Sequence, residues 1–210
     1  MPAVVHHLEV EVVPLLTKMG LPRWVILEIA AQVAGERVNI TADDAPPVVG
    51  FETWRWGTRY SREHTELKRL GWVPCEQDQV SGIVNEGMDL KLVFCNTDSN
   101  TGKVNRQPKN INEKGPASCR LIESNNPPIY LFPELNLRPK RPNLWYFCSY
   151  FCDAHIGIEI SRPIEEIGGI VSDFSTRIIV AQPGEIPGVR RHVIPQEFAD
   201  VPKPRVTRKG

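Results

Sequence analysis

Nineteen prolines interrupt this 210-residue chain, about nine per cent against a usual value of roughly five per cent. Each proline fixes φ and removes a backbone donor, so the elements between them are held short and joined by irregular connections. Pro127, Pro128, Pro133, Pro139 and Pro142 crowd one stretch, which marks 127–142 as the place for a subdomain division. Hydrophobic residues at 41% and charged residues at 24% exclude disorder, collagen and coiled coil as global descriptions. The reading is a single globular domain over 1–200 followed by a basic extended tail over 201–210.

Local patterning predicts an α+β fold with a short mixed or antiparallel sheet, two to four helices and proline-rich connections. Alternation over 7–12 reads as a strand closed by Pro14. Pro22 and Gly35 bracket an apolar helix, and 41–50 is a loop. A second helix runs over 53–70, with Thr53 as N-cap and Gly71 just past its end. Segments 80–84 and 90–95 are strands, the latter placing Leu90, Leu92 and Phe94 on one face. A polar stretch, 96–118, follows, long enough to be functional or mobile. Beyond it, 119–122 reads as a return strand, 143–154 as an aromatic-rich helix, 156–160 as a strand, 163–170 as a weak helix or turn, and 177–181 as a strand.

Five cysteines, an odd number, in a chain large enough to need no staples point to a reduced, cytoplasmic protein. The N-terminus lacks the basic and apolar regions of a secretory signal. No apolar run reaches the roughly 20 residues a bilayer needs, so no membrane partner is expected. The net charge of zero hides an asymmetry. Residues 1–100 hold nine Lys/Arg against fourteen Asp/Glu, net −5, and 101–210 hold sixteen against eleven, net +5. Such a charge dipole bears on encounter with partners.

The leading functional reading is a nucleic-acid-binding protein that contacts the phosphate backbone through three cationic features on one face. The first is Arg55, Arg59, Arg62 and Arg69, one stripe of a helix, whose guanidinium forks match phosphate oxygens. The same spacing sets Arg59 against Glu63 and Arg62 against Glu66, the pattern of a salt-bridged solvent face. The second is the loop bearing Lys103, Arg106, Lys109, Lys114 and Arg120, and the third is the tail with Lys203, Arg205, Arg208 and Lys209. Trp54, Trp56 and Tyr60 offer stacking platforms.

An enzymatic alternative uses Glu63 or Glu66, Asp89 and Lys91 as a Mg²⁺-dependent nuclease or phosphodiester hydrolase. There the acids hold the metal and the lysine steadies hydroxide or phosphate, with Asp89 and Asp98 as metal ligands. Mg²⁺ belongs to that alternative alone; no other cofactor motif is met. Cys148, Cys152 and His155 share a face if their segment is helical, which invites zinc, although the surrounding aromatics favour packing. A third reading is a non-catalytic adaptor that docks protein partners through the 127–142 segment and the tail.

Overall fold

The computed structural model describes residues 2–41, 43–76, 79–126, 142–152 and 154–187. The proline-rich 127–141 stretch and the basic tail, with Lys203, Arg205, Arg208 and Lys209, lie outside them. In chain order the elements are β1 (Val4–His6), α1 (Glu9–Lys18), α2 (Arg23–Arg37), α3 (Pro46–Glu63), α4 (Thr65–Arg69), β2 (Val73–Cys75), β3 (Gly82–Asn85), β4 (Leu90–Asn96), α5 (Pro116–Ser124), β5 (Asn143–Phe151), β6 (His155–Ile167) and β7 (Ile170–Pro187). The fold is α+β as expected, but larger than the short sheet and two to four helices read from the sequence. Among the described residues there are five α-helices and one seven-stranded sheet ordered β1-β7-β6-β5-β4-β3-β2. The pairs β4–β5 and β1–β7 are parallel and the rest antiparallel.

Several local expectations are corrected, each for a packing reason. Residues 9–12 belong to α1, because Val12 and Leu16 share a helical face and are both buried. Helix α3 begins at Pro46, not at Thr53, since two prolines in a first turn forfeit only N–H groups that have no intrahelical partner. Segment 119–122 is part of α5, the crossover that a parallel β4–β5 pair demands. Segment 143–151 is the strand β5, fourth of seven in the sheet. Buried on both faces, it shows a continuous apolar run with no alternation. The β6–β7 hairpin turns on Gly168 and Gly169, both at positive φ, between the paired Ile167 and Ile170, the two-residue turn that glycine permits.

Two cores flank the sheet. Leu92, Phe94, Phe147, Ile158, Ile160, Ile178 and Val180 pack against α1 and α2 residues such as Val12, Leu16, Ile26, Ile29 and Val33. On the opposite face Val93, Cys95, Leu144, Tyr146, Cys148 and Phe174 pack against Leu121 and Ile122 of α5. The polar 97–115 loop is docked there too. Gly102 N donates to Glu159 Oε2 at 2.9 Å. Buried Asn110 accepts from Val171 N at 2.7 Å and donates to Gly169 O at 2.9 Å. Glu159 and Arg177, both buried, form a bidentate pair at 2.9 and 2.6 Å. Ser161 Oγ donates to the same carboxylate, and Arg177 also reaches Lys103 O at 3.1 Å.

Replacing one partner of this pair strands the other charge in the sheet. Glu159→Gln is expected to cost about 3–5 kcal/mol in urea denaturation, and replacing both partners by apolar residues should not restore the parent stability, because Gly102 N and Ser161 Oγ then lose their acceptor and Lys103 O its donor. A Cβ at Gly57 on α3 would overlap the Phe94 ring. Gly57→Ala should therefore destabilise by about 1–3 kcal/mol despite alanine's higher helix propensity, and the combination with Phe94→Leu should recover part of the loss.

Candidate nucleic-acid interface

Helix α3 separates two chemistries by spacing. Gly57, Tyr60 and Ser61 turn toward the sheet and α2, where Gly57 meets Phe94 and Tyr60 Oη donates to Glu36 Oε1 at 2.5 Å. Burial, reinforced by that hydrogen bond to a carboxylate, pushes the Tyr60 phenol up to about 12. Phe51, Trp54, Arg55, Arg59 and Arg62, at i, i+3, i+4, i+8 and i+11, occupy the outer face, and Thr58, at i+7, lies buried at its edge. Trp54, Arg55, Thr58, Arg59, Arg62 and Glu63 line a groove of about 360 Å³, closed on one side by Ser81 ahead of β3.

All four stripe arginines have carboxylate partners, though not wholly the expected ones. Arg55 pairs with Glu52 at 2.7 Å and Arg59 with Glu63 at 2.9 Å. Arg69 pairs with Glu66 at 2.6 Å, holding that carboxyl below the usual carboxylate range. Arg62 instead turns to Glu76 at 3.0 Å and donates to Cys75 O and Gly82 O, tying α3 to β2 and β3. Arg69 is not among the groove-lining residues. Thr58 is only 7% exposed, and its Oγ1 has no hydrogen-bond partner among the described residues.

The aromatic residues divide as well. Trp56 stacks on Tyr60 at 5.5 Å, lies partly buried against the core and carries the Arg55 guanidinium 4.2 Å from its ring. Neither Trp56 nor Tyr60 is a free stacking platform. Trp54 is 37% exposed, beside a 55% exposed Phe51, with ring centroids 6.0 Å apart. Phe51 and Thr58 were missed from the sequence. Reading Pro46-Pro47 as a helix start would have put Phe51 on the arginine face.

The second cationic feature lies elsewhere. The loop carrying Lys103, Arg106, Lys109 and Lys114 covers the α5 side of the sheet, where Lys114 Nζ sits 5.4 Å from the Tyr146 ring centre, whereas α3 covers the opposite side. The expected single face uniting stripe and loop is therefore not formed by the described residues. Arg106, Lys109 and Arg120 are exposed, while Lys103 and Lys114 are half-buried.

The nuclease constellation is likewise dispersed. Glu63 and Glu66 sit on the helical layer, paired with Arg59 and Arg69. Asp89, in a left-handed conformation just before β4, accepts from Asn143 Nδ2 at Oδ2. Lys91 is fully buried and, by strand alternation, shares the α5-side face with Val93 and Cys95. Asp98 accepts from Asn100 N, Asn100 Nδ2 and Lys109 N, organising its own loop. Among the described residues no three His, Cys, Asp or Glu side chains are grouped to hold a metal. Cys148 is buried in a strand, and Cys152 approaches His155 Nδ1 at 3.5 Å across a hairpin, so the helical zinc face does not exist. None of the five cysteines is in a disulfide.

No family model, curated protein or solved structure matches this chain. No helix among the described residues is long and apolar enough to cross a membrane.

The arginines differ in what they support. Arg62→Ala removes hydrogen bonds to two backbone carbonyls and is expected to destabilise by about 1–3 kcal/mol. Arg55→Ala breaks an exposed pair worth at most about 1 kcal/mol. Parallel thermal melts of the two variants test this ordering.

Proposed function

We propose that the protein binds nucleic acid by backbone contacts in the α3 groove. The observation that carries this reading is one groove lined by three arginines, Arg55, Arg59 and Arg62, together with Thr58, whose buried hydroxyl has no partner among the described residues. Such a wall presents donors, and phosphate oxygens are acceptors only. The pairs with Glu52 and Glu63 do not block the site. Exposed ion pairs contribute about 0–1 kcal/mol and are screened by salt, so a phosphate diester competes for the same forks on even terms. Arg62, fixed by Cys75 O and Gly82 O, supplies the preorganised member. The exposed Arg106, Lys109 and Arg120 and the 203–209 cations add long-range attraction for a polyanion.

The test is fluorescence anisotropy with labelled oligonucleotides at two salt concentrations, with and without Mg²⁺, and the products run on a gel. Affinity should fall as salt rises, and Arg55→Ala with Arg59→Ala should flatten the slope by about 0.7–0.9 per lost phosphate contact. Glu63→Gln, which removes a competing carboxylate from the groove wall, should tighten binding. No salt-dependent retention of any oligonucleotide would falsify the proposal. Mg²⁺-dependent cleavage lost in Asp89→Asn would replace it with the nuclease.

A further inference from the structure

We infer that the nucleic acid taken by the α3 groove is single-stranded, with an unpaired base stacked on the Phe51–Trp54 pair and the adjoining phosphates on Arg55, Arg59 and Thr58. This rests on the proposed phosphate-binding reading and narrows it to one substrate class. Helical spacing puts the two exposed rings on the same face as the groove, Trp54 about one turn and Phe51 about two turns toward the N-terminus of α3 from Thr58 and Arg59. Trp54 belongs to both features, since its ring lines the groove and also meets Phe51 at an interplanar angle of 45°. From Phe51 to Arg62 the face extends roughly 16 Å along the helix, enough for a short piece of strand.

The arrangement discriminates by base accessibility. In a duplex the π-faces are occupied by neighbouring base pairs, and an aromatic side chain on a convex helix meets only backbone and edges. In a single strand every base has a face to offer, and stacking tolerates sequence. Phe51 leaves about half of its surface in water, 55%, and Trp54 about a third, 37%. Trp56, one position further on, is by contrast closed off by Tyr60 and Arg55. A protein partner would also welcome tryptophan and arginine. The groove is lined by three arginines, the Thr58 and Ser81 hydroxyls and one carboxylate, Glu63; the Glu52 and Glu76 partners of Arg55 and Arg62 sit in bridges that an incoming phosphate competes for, and the surplus of donors in the lining favours a polyanion.

The full chain is titrated by anisotropy against a labelled pyrimidine single strand of about 12 nucleotides, within the usual range of strand-binding sites, and against a duplex of the same length. The single strand is expected to bind at least tenfold more tightly. Trp54→Ala should weaken single-strand binding roughly 5- to 150-fold, the range that base–aromatic stacking spans, with an unchanged salt slope. Trp54→Phe, which keeps a ring, should recover most of the loss, and Phe51→Ala should weaken binding less than Trp54→Ala. Phe51 is the more exposed ring, so Phe51→Ala should melt near the parent; Trp54 is partly covered, and if Trp54→Ala melts early, the Trp54→Phe and Phe51→Ala titrations decide. Equal affinity for duplex and single strand, or wild-type affinity in the ring variants, overturns the inference while leaving salt-dependent phosphate binding intact. Absence of salt-dependent binding to either oligonucleotide removes both, and leaves the exposed rings as a protein-docking surface.

Discussion

A parallel strand pair near the middle of the sheet dictates most of this architecture. Strands β4 and β5 run side by side from Leu90↔Asn143 to Asn96↔Ser149. Parallel neighbours cannot be joined by a tight turn, so the chain must return across a face of the sheet. The described part of that return is α5, which covers Val93, Cys95, Leu144 and Tyr146. With α1, α2 and α3 on the other face, both sides of β5 are covered along its middle, and its sequence is apolar from Leu144 to Cys148. The aromatic density at Trp145, Tyr146 and Phe147 follows from two-sided burial in a strand position that favours bulky side chains.

The face opposite the helical bundle is closed partly by polar groups. Beyond the reach of α5, the 97–115 loop supplies the cover. A loop brings backbone groups that need partners once buried. Two clusters provide them: Glu159 and Arg177 hold Gly102 and Lys103, and Asn110 holds Gly169 and Val171. Such a cluster holds only when its members are satisfied, because removing one leaves the others unpaired in a low dielectric. This is why a stretch with almost no apolar side chains folds against the protein.

The candidate site depends on how closely α3 approaches the sheet. Gly57 lets the helix backbone settle on Phe94, and Arg62 fastens the far end to β2 and β3. With the inner face fixed, the outer face presents its arginines and Trp54 as a set, and Ser81 supplies the opposite wall of the groove. Local ion pairs hold Arg55 and Arg59 in place while contributing little energy of their own. They position the guanidiniums without committing them.

The sequence by itself determined the α+β class, the apolar second helix, the 90–96 strand with Leu90, Leu92 and Phe94 on one face, and the arginine stripe from Arg55 to Arg62; the helix ends at Glu63, and Arg69 falls on the separate helix α4. Each of these is a local or periodic property: turn chemistry, a period of 2 or 3.6, a charge at fixed spacing. The Gly168-Gly169 turn is equally local. Only the tertiary structure decided that 143–151 is a strand and 119–122 a helix, because a short apolar run fits either form until the number of covered faces is known. It also decided that Arg62 leaves Glu66 for Glu76 and two carbonyls, that Lys91 and Glu63 face opposite sides of the sheet, and that Trp54 stands in water while Trp56 does not. Those outcomes turn on which residues distant in the chain meet, and the packing of α3 against β3 and β4 settles them, not spacing along the helix.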